Sequence, residues 1–159
     1  MGYRNPDICS PTYHMAYKGN YKLINPSKYI GDPTSINWKS LWERKVCRYL
    51  DLNENIIRWG YEPVKIPYFS HVHKKIKKYI PDFIVETKRK DGSIETTVLE
   101  VKPLSQSVKP QKGKKQSKKS FLRETIQYEV NQAKWKQAKR FCDQQGWLFK
   151  VVTEKDLFK

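Results

Sequence analysis

The sequence predicts an α/β domain in which helices flank a mixed β-sheet. Three observations lead to this fold class. A helical stripe near residue 45 precedes several β-rich runs, two of those runs flank a hairpin turn, and a long helical stretch then leads into a short apolar strand. The 159 residues suffice for one domain with a sizeable core.

The composition points to a polyanionic partner. Lys and Arg number 32 against 16 Asp and Glu, which gives a formal net charge of +16. Counterion release favours nucleic acid as the partner, whereas a membrane-surface protein would need a basic amphipathic helix with a clean apolar face. A hydrophobic content of 38% argues against a disordered tail. Because no apolar run is long enough to span a bilayer and the first residues do not read as a signal peptide, an intracellular protein is expected.

Residues 1–36 are predicted to form an extended N-terminal arm. They are rich in Tyr, Pro, Asn and Gly, and they show neither the period of a strand nor that of a helix. A free Tyr-rich segment would leave apolar surface exposed, so we expect the arm to lie along the domain or along a partner. The domain itself is predicted to occupy residues 37–159.

The first periodic segment predicts a helix from Ser40 to Leu50. Trp42 and Val46 recur with Leu50 at intervals of four residues and form one apolar stripe. Ser40 followed three residues later by Glu43 is a capping box, the usual signal of a helix N-terminus.

Four β-rich runs follow this helix. In chain order they are Ile56–Trp59, Val64–Phe69, Tyr79–Thr87 and Ser93–Lys102. The last two flank Lys90-Asp91-Gly92, which predicts a β-hairpin.

The composition changes after the hairpin. Residues 103–120 contain six Lys and no acidic residue, which predicts a mobile Lys-rich loop that is either a solvated loop or a clamp over DNA. A long helix is predicted from Phe121 to a C-terminal cap at Gly146. A strand over Trp147–Val152 and a last helical turn from Thr153 complete the chain.

Cysteine and histidine usage indicates neither a disulfide framework nor a zinc site. Cys9, Cys47 and Cys142 are odd in number and widely spaced, and the last two fall in helical segments as small core residues. His71 and His73 could be two metal ligands on one strand, but a solvated loop is favoured in this Lys-rich stretch.

The hairpin register decides whether three ionisable residues meet on one face. Side chains alternate along a strand, so Glu100 and Lys102 share a side. Asp82 joins them only if paired residue numbers sum to 182, which leaves a three-residue loop ending on Gly92. A two-residue turn would send Asp82 and Glu100 to opposite faces. We therefore predict the three-residue loop, whose last position needs a left-handed backbone that glycine supplies.

Two carboxylates and an ammonium group on one face suit phosphodiester hydrolysis assisted by Mg²⁺. This ion prefers oxygen ligands, polarises the scissile phosphate and activates water, so Asp82 and Glu100 are the predicted metal ligands. Lys102 would orient the water, help it lose a proton or offset charge in the transition state. Glu43 would complete the metal site if its helix packs on the hairpin; the alternative is that it only caps the helix with Ser40.

Several short motifs resemble those of one nuclease superfamily. Pro81-Asp82 followed by Glu100-Val101-Lys102 resembles the signature of the PD-(D/E)XK nucleases. Flanking blocks add a closer resemblance to the head completion nucleases of T-even-type tailed bacteriophages and, more distantly, to the endonuclease subunit of cut-and-paste transposons. These blocks are Trp38-Lys39-Ser40-Leu41-Trp42-Glu43, Arg58-Trp59-Gly60, Ile66-Pro67-Tyr68, Asn131, Lys134, Trp135, Gly146 and Thr153-Glu154.

The resemblance implies a restriction-endonuclease-like core and a metal-dependent endodeoxyribonuclease that acts in head completion after DNA packaging. It implies a metal site at Glu43, Asp82 and Glu100 with Lys102 as a catalytic residue, and Mg²⁺ as the cofactor with Mn²⁺ as a substitute. The expected partners are double-stranded or branched DNA and phage head, portal or neck proteins, with no membrane and no small-molecule cofactor. The expected location is the host cytoplasm during assembly, or the virion.

Phosphate contacts are predicted for the basic loop and the long helix after it, which would hold DNA without reading bases. The predicted DNA-binding residues are Lys114, Lys115, Lys118, Lys119, Asn131, Lys134 and Lys136. A rival function is a virion-associated DNA-binding or joining protein whose nuclease fold is structural, with salt-dependent binding that does not need the carboxylates. An RNA-binding protein is a third option, which the lack of RNA-binding motifs disfavours.

Overall fold

The helix predicted from Ser40 is present as α1, Leu41–Leu52, in the computed structural model, which describes residues 18–157. Ser40 is the N-cap, and its hydroxyl accepts a hydrogen bond from the backbone N–H of Glu43 at 3.1 Å. The carboxylate of Glu43 accepts in return from the N–H of Lys39 at 2.9 Å, one residue before the usual partner. The capping box that the sequence predicts therefore begins α1.

Eight strands form three sheets within residues 18–157. They are β1 Gly19–Asn20, β2 Asn37–Trp38, β3 Ile56–Tyr61, β4 Ile66–Ser70, β5 Lys75–Tyr79, β6 Phe83–Lys88, β7 Ile94–Val101 and β8 Leu148–Val152. The central sheet has the order β3-β6-β7-β8, with antiparallel pairs except for the parallel pair β7–β8. Antiparallel pairs β1–β2 and β4–β5 are separate from it. The mixed sheet predicted from the sequence is thus confirmed.

The predicted hairpin register is also confirmed. Phe83 lies opposite Leu99, and the paired residue numbers sum to 182 along the whole β6–β7 ladder. The N–H of Arg89 donates to the carbonyl of Ser93 at 2.8 Å, which closes the three-residue loop. Gly92 has φ of 85°, the left-handed conformation that this loop position needs.

The predicted strand Tyr79–Thr87 is in fact two strands in different sheets. β5 ends at Tyr79, and β6 begins at Phe83. Pro81 lies between them, fully buried, and lacks the N–H that a continuous ladder would use. Asp82 therefore lies in a bend directly before β6 rather than within a strand.

Up to residue 157, three helices follow the hairpin: α2 Leu104–Ser107, α3 Lys118–Gln145 and α4 Glu154–Leu157. Residues 103–120, predicted as a loop, thus contain α2 and the first turn of α3. Helix α3 begins at Lys118, three residues before the predicted start at Phe121. Ser117 is its N-cap, because its side chain accepts a hydrogen bond from the N–H of Ser120 at 3.1 Å. Gly146, with φ of 70°, ends the helix as predicted. None of the helices in residues 18–157 has the length and apolar character needed to cross a membrane.

The two faces of the central sheet pack on different helices. The face with Phe83 and Val85 packs on α1. The opposite face, with Ile84 and Val98, packs on Cys142 of α3. The α1 cluster comprises Ile36, Trp42, Val46, Cys47, Leu50, Ile56, Trp59, Tyr61, Phe83, Val85 and Val101. The sheet is therefore covered on both faces, and its strand ends are left to carry polar groups.

The described part of the arm, residues 18–36, lies along the domain. The N–H of Ile30 donates to the carbonyl of Trp59 at 2.8 Å, so the arm covers the free edge of β3. The ring of Tyr29 meets that of Trp59 edge-on at 4.9 Å. The rest of the predicted arm, which includes Cys9, lies outside the described residues.

A buried carboxylate in the last turn of α1 holds the arm in place. Asp51 is 0% exposed. Its Oδ2 accepts from the hydroxyl of Tyr21 at 3.0 Å and from the N–H of Ile24 at 2.7 Å, and its Oδ1 accepts from the N–H of Asn25 at 3.0 Å. Three donors of one segment thus satisfy a charge that has no access to water.

We expect Asp51→Asn to lower the free energy of unfolding by about 2 to 4 kcal/mol. The amide replaces one acceptor oxygen by a donor, so a buried N–H of the arm loses its partner. Urea unfolding measures the change. Asp32→Asn is the matched control, because Asp32 also accepts three hydrogen bonds, from Thr34 and Ser35, but is exposed; it should change little. A loss below about 0.5 kcal/mol for Asp51→Asn would mean that the carboxylate does not anchor the arm.

Candidate active site

The candidate site lies at the open end of the β6–β7 hairpin. Asp82 directly precedes β6, and Glu100 follows the last residue pair of the ladder. Glu43 belongs to the first turn of α1, which packs on the same hairpin. The charges of Glu100 and Glu43 both act on Asp82. The fold therefore brings Glu43 and Glu100 within electrostatic range of Asp82.

The ionised carboxylate of Asp82 lies in an electrostatically unfavourable environment. Burial, followed by the charge of Glu100, raises the pKa of Asp82 well above its usual value, and Glu43 adds to the effect. The N–H of Val101 donates to Oδ2 at 2.7 Å and, together with Lys102, partly opposes this rise. Oδ1 accepts no hydrogen bond from any residue between 18 and 157. A positive ion beside Oδ1 would relieve the unfavourable charge.

Glu100 and Lys102 form an ion pair beside Asp82. Nζ of Lys102 lies 3.2 Å from Oε1 of Glu100, and the two side chains are 29% and 5% exposed. The hydroxyl of Tyr79 donates to Oε2 of Glu100 at 2.8 Å. Burial lowers the pKa of Lys102, but the charges of Glu100 and Asp82 outweigh it and leave that pKa above its usual value. Lys102 is therefore an ammonium group that is partly open to solvent.

Glu43 caps α1 and also belongs to the acidic cluster. Its Oε2 accepts from the N–H of Lys39 and from the hydroxyl of Tyr61, each at 2.9 Å. Its Oε1 accepts from the hydroxyl of Ser40 at 3.0 Å. The capping role is thus confirmed, while the charge of Glu43 still raises the pKa of Asp82. Capping does not remove Glu43 from the site.

The fold adds neighbours that sequence reasoning did not single out. Tyr61 and Tyr79 donate to Glu43 and Glu100, and burial raises the pKa of both phenols. The local sequence does not mark either tyrosine as a site residue. Only the pairing of strands in the folded chain brings their hydroxyl groups to the acids. Lys134, predicted to contact DNA, lies half-buried over the ring of Tyr79, with Nζ 5.7 Å from its centroid. Burial lowers the pKa of Lys134, and the opposing charge of Glu100 offsets this only in part. Lys134 therefore lies at the rim of the site, beside Tyr79.

The donor set suits a hard divalent cation. All candidate ligands are carboxylate oxygens, the ligands that Mg²⁺ prefers, and the charges of Glu100 and Glu43 both raise the pKa of Asp82. Within residues 18–157, no group of three or more His, Cys, Asp or Glu side chains stands in a metal-binding arrangement. Glu43 and Glu100 direct oxygens to protein donors, and of the three acids only Asp82 has an oxygen without a donor in the described part of the chain.

The predicted DNA-binding residues divide by exposure. The exposed members are Lys114, Lys115, Lys118, Lys119 and Lys136. Asn131 is 1% exposed: its amide donates to the carbonyl of Gln106 at 3.4 Å, and its side-chain oxygen accepts from Gln127 at 2.9 Å. The predicted DNA contact of Asn131 is therefore corrected to a structural role, since its side chain joins α3 to the segment of α2 in the interior.

The histidines and cysteines within residues 18–157 stand outside the site. His71 and His73 lie in the turn between β4 and β5, which matches the loop interpretation, and Nδ1 of His73 lies 2.8 Å from the hydroxyl of Ser70. Cys47 and Cys142 are buried free thiols. Burial raises the pKa of both, to about 11 for Cys142, as expected of inert core residues.

Comparison with known proteins places the chain among endonucleases. Residues 53–154 match the family model described as TnsA-like endonuclease N terminal, a range that contains Asp82, Glu100 and Lys102. The chain is also similar to the head completion nuclease of Enterobacteria phage T4, with 37% identity over 146 residues that cover 90% of this chain and 95% of the relative. Both similarities confirm the resemblance that the motifs indicated, and with it a restriction-endonuclease-like core. The chain belongs to the TnsA-like endonuclease family.

Proposed function

We propose that this chain is a Mg²⁺-dependent endodeoxyribonuclease of the PD-(D/E)XK type that acts in phage head completion after DNA packaging. The observation that carries the proposal is the carboxylate pair Asp82 and Glu100, of which Glu100 is buried, with the ammonium of Lys102 3.2 Å from Glu100. The endonuclease family and the name of the phage T4 relative support the reaction class and the assembly step. The substrate would be double-stranded or branched DNA, presented beside head, portal or neck proteins.

Asp82 and Glu100 would hold the cation, and Glu43 would complete the site. Asp82 offers Oδ1, and among the described residues Oε1 of Glu43 accepts only from Ser40, which leaves a lone pair for a further contact. A divalent cation bound there supplies Lewis-acid polarisation of the scissile phosphate and makes water more acidic. It would also allow an anionic phosphodiester to approach a cluster that is otherwise negative.

Lys102 would hold the attacking water and offset charge on the phosphate. Hydrolysis forms a bond from the water oxygen to phosphorus and breaks the bond to the leaving sugar oxygen, which takes up a proton. The ammonium is partly exposed and ion-paired to Glu100, so it can donate hydrogen bonds to groups on both sides. Tyr79 fixes Glu100 from the opposite oxygen, which keeps the pair in position.

The exposed lysines would bind DNA phosphates without recognising the base sequence. Lys118 and Lys119 in the first turn of α3, and Lys136 farther along it, project into solvent. Contacts of lysine with phosphate release counterions and carry no information about bases. Lys134, at the rim of the site, would contact the phosphates nearest to the reaction.

The decisive experiment compares wild type and Asp82→Ala on linear and branched DNA with Mg²⁺. We expect Asp82→Ala to reduce cleavage by about 10³-fold or more, because the cation loses its most available ligand. Chelation of the metal should stop the wild type. Asp91→Ala is the matched control: Asp91 lies in the loop of the same hairpin, is exposed and bonds only to Ser93 among the described residues, so cleavage should persist.

Two outcomes would overturn the proposal. One is equal residual cleavage by wild type and Asp82→Ala, and the other is no cleavage by either. DNA binding that has a steep salt slope, stays unchanged in Asp82→Ala and is not accompanied by cleavage would identify the rival DNA-binding protein instead.

A further inference from the structure

The β4–β5 hairpin stands beside the central sheet, with one of its two faces packed on the domain. Ile66 and Tyr68 are buried and belong to one cluster with Trp135 of α3. Ile66 pairs with Tyr79, so both occupy this inner face. The inner face fixes the hairpin to the domain and leaves the outer face open.

The outer face carries an apolar pair that is open to solvent. Phe69 and Ile76 lie directly opposite each other and are 49% and 73% exposed. Val72, in the turn that joins the strands, is 44% exposed. Single exposed apolar side chains are ordinary, but an aromatic and a β-branched side chain in one cross-strand pair form a small patch.

The same segment is strongly basic. Between residues 63 and 81 there are five Lys and neither Asp nor Glu; the lysines are Lys65, Lys74, Lys75, Lys77 and Lys78. Lysines on an edge strand also prevent pairing with other molecules, but that role does not need an exposed Phe–Ile pair among them. Positive charge around an apolar pair is complementary to DNA, which has phosphates outside and stacked bases within.

The base of this hairpin belongs to the candidate active site. Tyr79, the last residue of β5, donates to Glu100 at 2.8 Å. Glu62, shortly before β4, donates its N–H to the carbonyl of Asp82 at 2.8 Å. Ile76 precedes Tyr79 by three residues, a distance of about 10 Å along a strand. At about 3.4 Å per base step, this is the length of about three steps of DNA.

We propose that Phe69 and Ile76 form a wedge that enters the base stack of bound DNA about three base steps from the scissile phosphate. The inference rests on the proposed nuclease function and names its substrate class: DNA whose stacking is already interrupted by a mismatch, a nick or a branch. Insertion of apolar side chains costs unstacking energy, and this cost is lowest where pairing is already lost. Lys78 shares the face of the wedge and Lys74 lies in the adjoining turn, and both hold flanking phosphates.

The test uses the full chain carrying Asp82→Ala, so that DNA stays intact during titration. We expect this protein to bind an approximately 30-base-pair duplex with a central mismatch about tenfold or more tightly than the fully paired duplex. It should also raise the fluorescence of 2-aminopurine placed beside the mismatch. Adding Phe69→Ala and Ile76→Ala should reduce the preference to about twofold or less and abolish the fluorescence rise, while affinity for the paired duplex and its salt slope change little.

Leu122→Ala is the matched control in the same background. Leu122 is an apolar side chain of α3 that is 59% exposed, and its loss should leave the mismatch preference intact. Thermal unfolding should be similar for all variants, because the substituted side chains are exposed. A preference that survives in the Phe69→Ala, Ile76→Ala protein overturns the wedge. The wedge is also overturned if the double variant keeps the preference and sedimentation shows that it has lost self-association. The outer face of the hairpin would then join copies of the chain.

Cleavage by the wild type is measured separately, so the two proposals fail separately. If the wild type cuts DNA and Asp82→Ala does not, yet the alanine pair has no effect on mismatch preference, the wedge alone falls. If the alanine pair removes the preference but no protein cuts DNA, the wedge stands as a binding device and the nuclease proposal falls.

Discussion

Replacement of Lys102 by methionine is expected to slow Mg²⁺-dependent DNA cleavage by about 10²- to 10⁴-fold. The Lys102 side chain is 29% exposed and lies 3.2 Å from Glu100, so it can reach both the acids and a substrate phosphate. Methionine keeps the length and apolar stem but removes the ammonium that would orient water and offset charge. DNA binding should change little, because one cationic contact among many is lost.

Single-turnover cleavage rates, with DNA affinity measured separately in the absence of Mg²⁺, distinguish loss of chemistry from loss of binding. Lys136→Met is the matched control, since Lys136 is an exposed lysine of α3 that forms no ion pair with Glu43, Asp82 or Glu100. It should weaken binding slightly and leave the rate at saturating protein unchanged. Cleavage by Lys102→Met within tenfold of wild type would contradict the role, as would full recovery of its rate at high protein concentration.

The hairpin that carries the site could be predicted because two independent constraints agree. Alternation along a strand requires Asp82 to oppose Glu100 if the acids are to meet, and that register requires a three-residue loop. Gly92 then stands at the one loop position that needs a positive φ, which the structure has at 85°. The capping box of Ser40 and Glu43 is similarly local, so the start of α1 could be read from four residues.

The β4–β5 hairpin could not be predicted with the same certainty. The segment Lys75–Tyr79 has three lysines in five residues and little apolar alternation, so it has weak strand character by itself. Strand β5 is held by pairing with β4, whose Ile66 and Tyr68 pack against Trp135. Trp135 follows these two residues by more than 60 positions in the chain. The sequence consequently does not reveal Tyr79 as the hydrogen-bond donor to Glu100.

The burial of Asn131 on α3 likewise could not be predicted from the local sequence. Asn131 lies on a mostly polar helix, and the sequence around it has no feature that separates a buried face from an exposed one. Its burial depends on the segment of α2, whose Gln106 carbonyl it contacts, and that segment falls in a stretch with loop-like composition. Where a helix face is covered by an unpredicted element, periodicity alone does not reveal which polar residues are interior.

Asp82→Asn is expected to stabilise the metal-free protein at neutral pH while it abolishes cleavage. Burial and the nearby charge of Glu100 raise the pKa of Asp82 well above its usual value, so the ionised carboxylate destabilises the folded state. Each unit of such a rise is worth about 1.4 kcal/mol, and about 1 kcal/mol changes Tm by about 2 to 4 °C in a domain of this size. Asparagine keeps an oxygen for the N–H of Val101 and removes the charge.

The sign of the pH dependence follows from the raised pKa. Below about pH 4 the carboxyl is protonated in both folded and unfolded chains, so wild type and Asp82→Asn should have similar stability. As pH rises from there through the raised folded pKa, the unfolded chain ionises first, and the wild type should lose stability relative to the variant. Above the folded pKa the difference stays constant.

Mg²⁺ should reverse this order at neutral pH. A cation that binds only the folded protein stabilises it by about 2.7 kcal/mol at 100 times its dissociation constant, so Tm of the wild type should rise with Mg²⁺ and that of Asp82→Asn should not. Thermal unfolding with and without Mg²⁺ across pH 4 to 8 measures both effects. Asp91→Asn is the control: hydrogen bonds from Ser93 lower the pKa of Asp91, so neutralising it gives no gain. If Asp82→Asn proves no more stable than wild type without metal, the acids do not repel one another; if Mg²⁺ stabilises both equally, Asp82 is not the ligand.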